Sequence, residues 1–230
     1  MHFSPRRGVT RARILTSAEI KHAIRCAELT RDPERNTLLI VISHACGLRV
    51  TECACIPLKA ILYPSGRIRE ELMLDGSYTK YHRTRTVPLS SPRLLSALDA
   101  YLDYRVREGV GVIAGETAYR GLSPDMSLIF SGRGSRFALA QKRRILKGGV
   151  VEIYAASDAL ERVFARLYAD AGLHGATSHS GRRTYATRLL EQGAEVTTIS
   201  HLLGHESVEY TYPYLEPSED AIRHAFEVAL

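Results

Sequence analysis

Long apolar runs, a secretory leader, paired metal-ligand cysteines and repetitive tracts are all missing from this 230-residue chain. No stretch reaches the roughly 18 consecutive apolar residues that a membrane-spanning helix needs. The basic opening from Met1 to Gly8 is followed by no apolar segment, which argues against secretion and leads us to expect a cytoplasmic location. Cysteine is scarce: Cys26, Cys46, Cys53 and Cys55 sit among apolar neighbours with no Cys-x-x-Cys pair. Reduced packing residues are therefore expected in preference to disulfides or a zinc site. No internal repeat or strong linker divides the chain, whose length allows one large domain or two small ones with a buried core.

What is present is an uneven charge. Residues 191–230 hold eight acids against Arg223, about −7, so residues 1–190 carry about +13 of the net +6. Three stretches contain bases and no acids: Arg6 to Arg13, Lys80 to Arg93, and Arg133 to Lys147. Such a field suits a polyanion such as nucleic acid, although a solvated surface gives the same pattern.

The pattern of residues predicts a mainly helical α+β fold with a small antiparallel sheet at one edge. Thr16 and Glu19 form a capping box for a helix to about Leu29, and Asp32-Pro33 opens a second. The latter is apolar all round from Thr37 to Ile42, which predicts a central helix ended by Gly47. Thr51 is the expected cap of a short third helix, leaving Arg49 in a tight turn. Strands are expected over 68–74 and 83–89, with a third near 58–63 and a short one at 127–131. A helix from Ser91-Pro92 to about Arg107 lies between them. The basic stretch up to Lys147 reads as loop or frayed helix. An amphipathic helix follows Ser157, a further one is capped by Ser178, and a shorter one over 197–203 ends at Gly204. A last helix is expected after Pro217.

One constellation narrows function. His179-Ser180-Gly181-Arg182-Arg183-Thr184 is followed by Leu203-Gly204-His205 and, nine residues on, by Tyr214. Two imidazoles and a guanidinium can surround a phosphodiester with charge and donors while a phenol attacks phosphorus. His201 and His205 are spaced i, i+4, but Gly204 interrupts the helix and no His-Glu-x-x-His is present, so zinc is not expected. Tyr210, Tyr212 and Tyr214 alternate, and the nine-residue interval selects the last.

Together with His44-Ala45-Cys46-Gly47-Leu48-Arg49-Val50-Thr51-Glu52, and with Thr79-Lys80 leading to Arg85-Thr86-Val87-Pro88-Leu89, this pattern resembles the catalytic domain of the tyrosine recombinases, or phage-integrase family. The likeness runs from about Thr16 to Pro217. It implies that Arg49 and Arg182 clamp the non-bridging phosphate oxygens, His205 adds a donor, and His179 is the general base. It further implies that Lys80 protonates the departing 5′ hydroxyl while Tyr214 is the nucleophile, with no cofactor, ATP or metal. Glu52 is read as structural, bracing the arginine turn. Gly181 and Arg183 depart from the usual leucine and histidine, and Pro213 before the tyrosine disfavours helical geometry at Tyr212.

The chain is expected to divide into a basic arm over 1–15, a catalytic domain over 16–217 and a C-terminal helix over 218–230, whose acidic charge and apolar face suit docking in trans on a basic neighbouring protomer, with docking in cis on its own domain as the alternative. The arm is too short for the N-terminal core-binding domain of most members, so a catalytic domain alone, or a fragment, is expected. The implied partners are double-stranded DNA, further copies assembling as a dimer or tetramer, and an accessory DNA-bending protein. Two rivals stand beside this reading. Residues 182–203 imitate a non-catalytic helix-turn-helix, although Ile199, Leu202 and Leu203 look core-directed. A type IB topoisomerase would use similar chemistry.

Overall fold

The structure, a computed structural model, describes residues 11–76, 84–131, 134–145, 149 and 151–215. Helix α1 (Ser17–Ala27) starts where the sequence signals it: Glu19 N donates to Thr16 Oγ1 at 3.2 Å and Thr16 N to Glu19 Oε2 at 2.9 Å. Helix α2 (Pro33–Cys46) follows, with Leu38, Leu39 and Ile40 wholly buried. It is apolar all round because helices pack on it from several sides: α1, α4 (Pro92–Arg107), α5 (Asp158–Asp170) and α6 (Ser180–Glu191). Gly47 closes α2 in the left-handed conformation, φ 58°, where a Cβ would meet Tyr185 Cδ1 at 2.6 Å.

Helix α3 (Val50–Cys55) begins two residues earlier than expected, and its cap is Arg49 rather than Thr51. The Glu52 carboxylate reaches back to accept from Arg49 N at 2.7 Å, satisfying the donor at the cap position. Strands β1 (Glu71–Leu74) and β2 (Arg85–Pro88) pair antiparallel, with Leu72 opposite Val87 and Leu74 opposite Arg85. The turn between them falls largely within 77–83, outside the described residues.

Three expectations are corrected. The strand foreseen near residues 58–63 is a 3₁₀ turn, Leu58–Ala60, with one isolated bridge from Leu62 to Ile68. Pro57 has no N–H, and Leu58 N donates to Met126 O at 2.8 Å, so the segment's donors do not serve a ladder. The segment at 127–131 contributes only isolated bridges at Ser127 and Phe130. Finally, part of the basic stretch is a strand: β3 (Ala140–Ile145) pairs with β4 (Val151–Ala156) in a second two-stranded sheet. β-Branched residues on the returning strand, Val151 and Ile153, supply the propensity that the lysines and arginines lack.

Helix α6 begins at Ser180, with His179 rather than Ser178 at its cap position. Its approach to α2 explains Gly181, where any Cβ would lie 2.6 Å from Ser43 Oγ and 2.8 Å from the Ser43 carbonyl carbon. A leucine cannot stand there. Arg183 also has a structural task, donating to Ala12 O, while Leu15 N donates to Thr184 Oγ1 at 3.0 Å. The N-terminal segment is thus tied to α6. Helix α7 (Val196–Leu203) turns Ile199 and Leu203 onto Ala186 in a small second core and ends at Gly204, φ 62°. Its apolar face is committed to packing, not to a groove. Among the described residues no helix is long and apolar enough to cross a membrane.

Candidate active site

Four tight turns meet at one end of the domain, and each presents a side chain named by the sequence. Arg49 stands between α2 and α3, His179 at the start of α6, His205 just beyond α7, and Tyr214 in a 3₁₀ turn, Tyr212–Tyr214. Arg49, His179, His205 and Tyr214 line one cleft of about 490 Å³. Arg182 lies beneath it, fully buried, with its guanidinium carbon 5.7 Å from the centre of the Tyr214 ring. Lys80 lies outside the described residues.

The two arginines are held by backbone carbonyls of the same turns. Arg182 Nη1 donates to Gly47 O at 2.8 Å and Nη2 to Leu203 O, so one side chain links the ends of α2 and α7. Arg49 Nη2 reaches Gly204 O at 3.4 Å, and its Nη1 donates to Glu52 Oε1 at 2.9 Å. Arg182 Nε is buried with no partner among the described residues. An orphaned donor of this kind, beside a second guanidinium, is suited to an anionic oxygen. Burial, reinforced by the charge of Arg49, lowers the Arg182 pKa to about 9, still above neutral pH.

Glu52 organises this end of the molecule. It is fully buried and accepts from Arg85 Nη1 and Nη2, both at 2.7 Å, as well as from Arg49 N and Nη1. Burial by itself would raise its pKa. The hydrogen bonds and charge of Arg85, then the charges of Arg182 and Arg49, outweigh that and hold it at about 2. Arg85 in turn donates from Nε to Leu202 O at 2.9 Å and packs under Gly204, where a Cβ would meet its Cδ at 2.9 Å. One carboxylate therefore joins α3, β2 and the end of α7.

The histidines are tuned to be neutral. Burial, with the charges of Arg182, Arg49 and Arg85, pushes the His205 pKa down to about 3. Its Nδ1 lies 2.8 Å from Thr211 Oγ1, a contact that fixes the ring and leaves Nε2 for a ligand. His179 is also lowered, by partial desolvation and then by Arg182 and Arg49, which favours the free base at neutral pH. Tyr214 packs on His205 with ring centres 5.1 Å apart, and Thr187 Oγ1 donates to its carbonyl at 3.2 Å. Pro213 is accommodated because a single 3₁₀ turn asks nothing of its missing N–H. Tyr210 and Tyr212 are more than half exposed, and the ring contacts with His205 and Arg182 belong to Tyr214.

The profile of the Phage integrase family matches residues 13–220. The chain belongs to that family. It is 27% identical over 216 residues to the tyrosine recombinase XerC of Brucella suis biovar 1 (strain 1330), a match covering 92% of this chain and 56% of that one. A crystal structure of XerA recombinase superimposes with a TM-score of 0.67 at 20% identity, over 96% of this chain and 66% of the other. XerH site-specific recombinase bound to its palindromic difH substrate in a post-cleavage complex gives 0.63 at 18%, over 94% and 52%. The chain spans about half the length of the curated XerC relatives it matches. Its described residues have the phage-integrase catalytic fold.

Two residues of this cluster were not foreseen. Arg85 shares the inward parity of Val87 on β2, and a buried arginine requires an acid; that parity was the available signal. Thr211, fully buried against His205, had no local signal at all. Among the described residues no group of three His, Cys, Asp or Glu side chains is placed to hold an ion. Burial raises the thiols of Cys46, to about 12, and Cys53, so both are packing residues.

Proposed function

We propose that this chain is the catalytic part of a site-specific DNA recombinase that cuts and rejoins strands through a 3′-phosphotyrosyl link. The observation that carries the reading is the meeting of Arg49, Arg182, His205 and Tyr214 through the carbonyls and rings of one turn cluster. The resistance of a phosphodiester to attack comes from its negative oxygens, so charge neutralisation and positioning do most of the work. Arg49 and Arg182 neutralise the non-bridging oxygens, with His205 Nε2 as a neutral donor. His179 accepts the phenolic proton as the Tyr214 Oη–phosphorus bond forms. The bond from phosphorus to O5′ breaks, and Lys80 delivers the proton that O5′ takes up. The phosphotyrosyl bond conserves the energy of the broken linkage, so attack by a second 5′ hydroxyl rejoins a strand without ATP.

Its partners in this reading are double-stranded DNA, further copies of the chain in a dimer or tetramer on that DNA, and an accessory DNA-bending protein, all in a cytoplasmic setting. Unpaired cysteines agree with that setting. The acidic segment 216–230, with Ile222 and Phe226 as apolar anchors, is read as docking in trans on a basic neighbour, the alternative being its own domain in cis. Removing residues 218–230 is expected to abolish higher-order complexes in gel-shift assays while leaving thermal unfolding unchanged.

The test is a nicked suicide DNA substrate, drawn from sequence flanking the coding region. The enzyme gives an SDS-resistant protein–DNA adduct that Tyr214→Phe abolishes. A DNA-binding protein without catalysis gives a gel shift and no adduct, which would end this reading. Relaxation of plasmid irrespective of sequence would replace it with topoisomerase activity.

A further inference from the structure

The β3–β4 hairpin has no evident task inside the fold. A two-stranded hairpin is marginal by itself, and this one leaves the neck between Ala138 and Ser157, where Ser157 Oγ donates to Ala138 O at 3.2 Å. Its register separates two faces. One carries Arg143, Ile145, Val151 and Ile153, all exposed. The other carries Lys142, Arg144, Glu152, Tyr154 and Ala156, and β4 packs against α3, the helix that Arg49 begins. Arg144, Tyr154, Ala155 and Ala156 line the same cleft as Arg49, His179, His205 and Tyr214. The hairpin is therefore one wall of the candidate active site.

We propose that this wall is a DNA-backbone site, in which Arg144 takes a phosphate close to the one held by Arg49 and Arg182. The inference rests on the recombinase reading for the identity of the polyanion. Lys142 and Arg144 share the face that carries Tyr154, and Arg144 lines the cleft. Arg144 lies over the Tyr154 ring, its guanidinium carbon 5.6 Å from the ring centre. Stacking restrains a guanidinium while its in-plane N–H groups keep the geometry that phosphate oxygens accept. Glu152, directly across the ladder, pairs with Arg144, and Lys142 pairs with Asp158. The acids Glu161 and Glu206 also line the cleft, so phosphate is drawn to the arginine side of it rather than to the whole wall. Glu152 occupies the guanidinium that a phosphate would take.

The experiment measures equilibrium binding of the full chain to a labelled duplex of arbitrary sequence over a series of salt concentrations. Each phosphate contact contributes about 0.9 to the slope of log affinity against log salt. Arg144→Gln is expected to weaken binding several-fold and to reduce the slope by about one. Glu152→Gln, which removes the competing acid, is expected to tighten binding. A purely structural pair predicts the opposite for Glu152→Gln, weaker or unchanged binding with a lower melting temperature. Lys59→Gln, outside the cleft, controls for general charge loss and should leave the slope within error of the wild type. An Arg144→Gln slope equal to wild type, or no tightening in Glu152→Gln, overturns the proposal. The suicide-substrate adduct is a separate readout: an adduct with an unchanged slope defeats this inference alone, and a changed slope without adduct defeats only the recombinase reading.

Discussion

At the scale of single residues, the site depends on charges that are buried and must remain paired. Glu52 is the extreme case, an acid with no exposed surface gripped by Arg85 and Arg49. Glu52→Gln should cost about 3–5 kcal/mol in urea unfolding, because Arg85 would stay buried without its counter-charge. The double variant Glu52→Gln, Arg85→Met should lose less than the two single losses added together, the signature of direct coupling. The folded pKa is depressed to about 2 from the usual 4.5. The stabilisation is therefore complete above about 4.5, falls as pH drops toward 2, and should be missing from the acid unfolding profile of Glu52→Gln. The histidines give an activity prediction of the same sign. His179 is lowered from 6.5, so the acid limb of the cleavage rate should lie below that value. A limb above 6.5 would remove His179 from the base role.

At the scale of elements, caps and glycines were the readable part. Thr16 with Glu19, Gly47 and Gly204 each mark a helix end by local chemistry, and each end is found where that chemistry puts it. What escaped was non-local. β3 is a strand because β4 returns beside it, and its own basic residues carry no strand signal. The helix caps lie at Arg49, whose N–H the Glu52 carboxylate accepts, and at His179, just before the closest approach of α6 to α2. Glu52 itself was legible as a brace, whereas Arg85, its partner 33 residues away, was not. Gly181 marks a close contact with the backbone of another helix. Gly181→Ala should destabilise by about 1–3 kcal/mol in thermal or urea unfolding, since the new Cβ meets the Ser43 backbone as well as its side chain. For the same reason Ser43→Gly should fail to rescue it fully; complete rescue would place the strain elsewhere.

At the scale of the whole molecule, two charge domains meet in one chain: a basic body and an acidic end. Binding to DNA should weaken steeply with salt, with a log–log slope of several units measured by fluorescence anisotropy. A flat response would mean that the basic surface does not meet the phosphate backbone. The turn cluster and the β3–β4 wall lie within the basic body and line one cleft. The central claim concerns a single bond, between phosphorus and the oxygen of Tyr214. Digestion of the trapped protein–DNA adduct and peptide mapping by mass spectrometry locate that bond directly. The account requires the nucleotide remnant on Tyr214; a remnant on Tyr210 or Tyr212, or on any other residue, would contradict it.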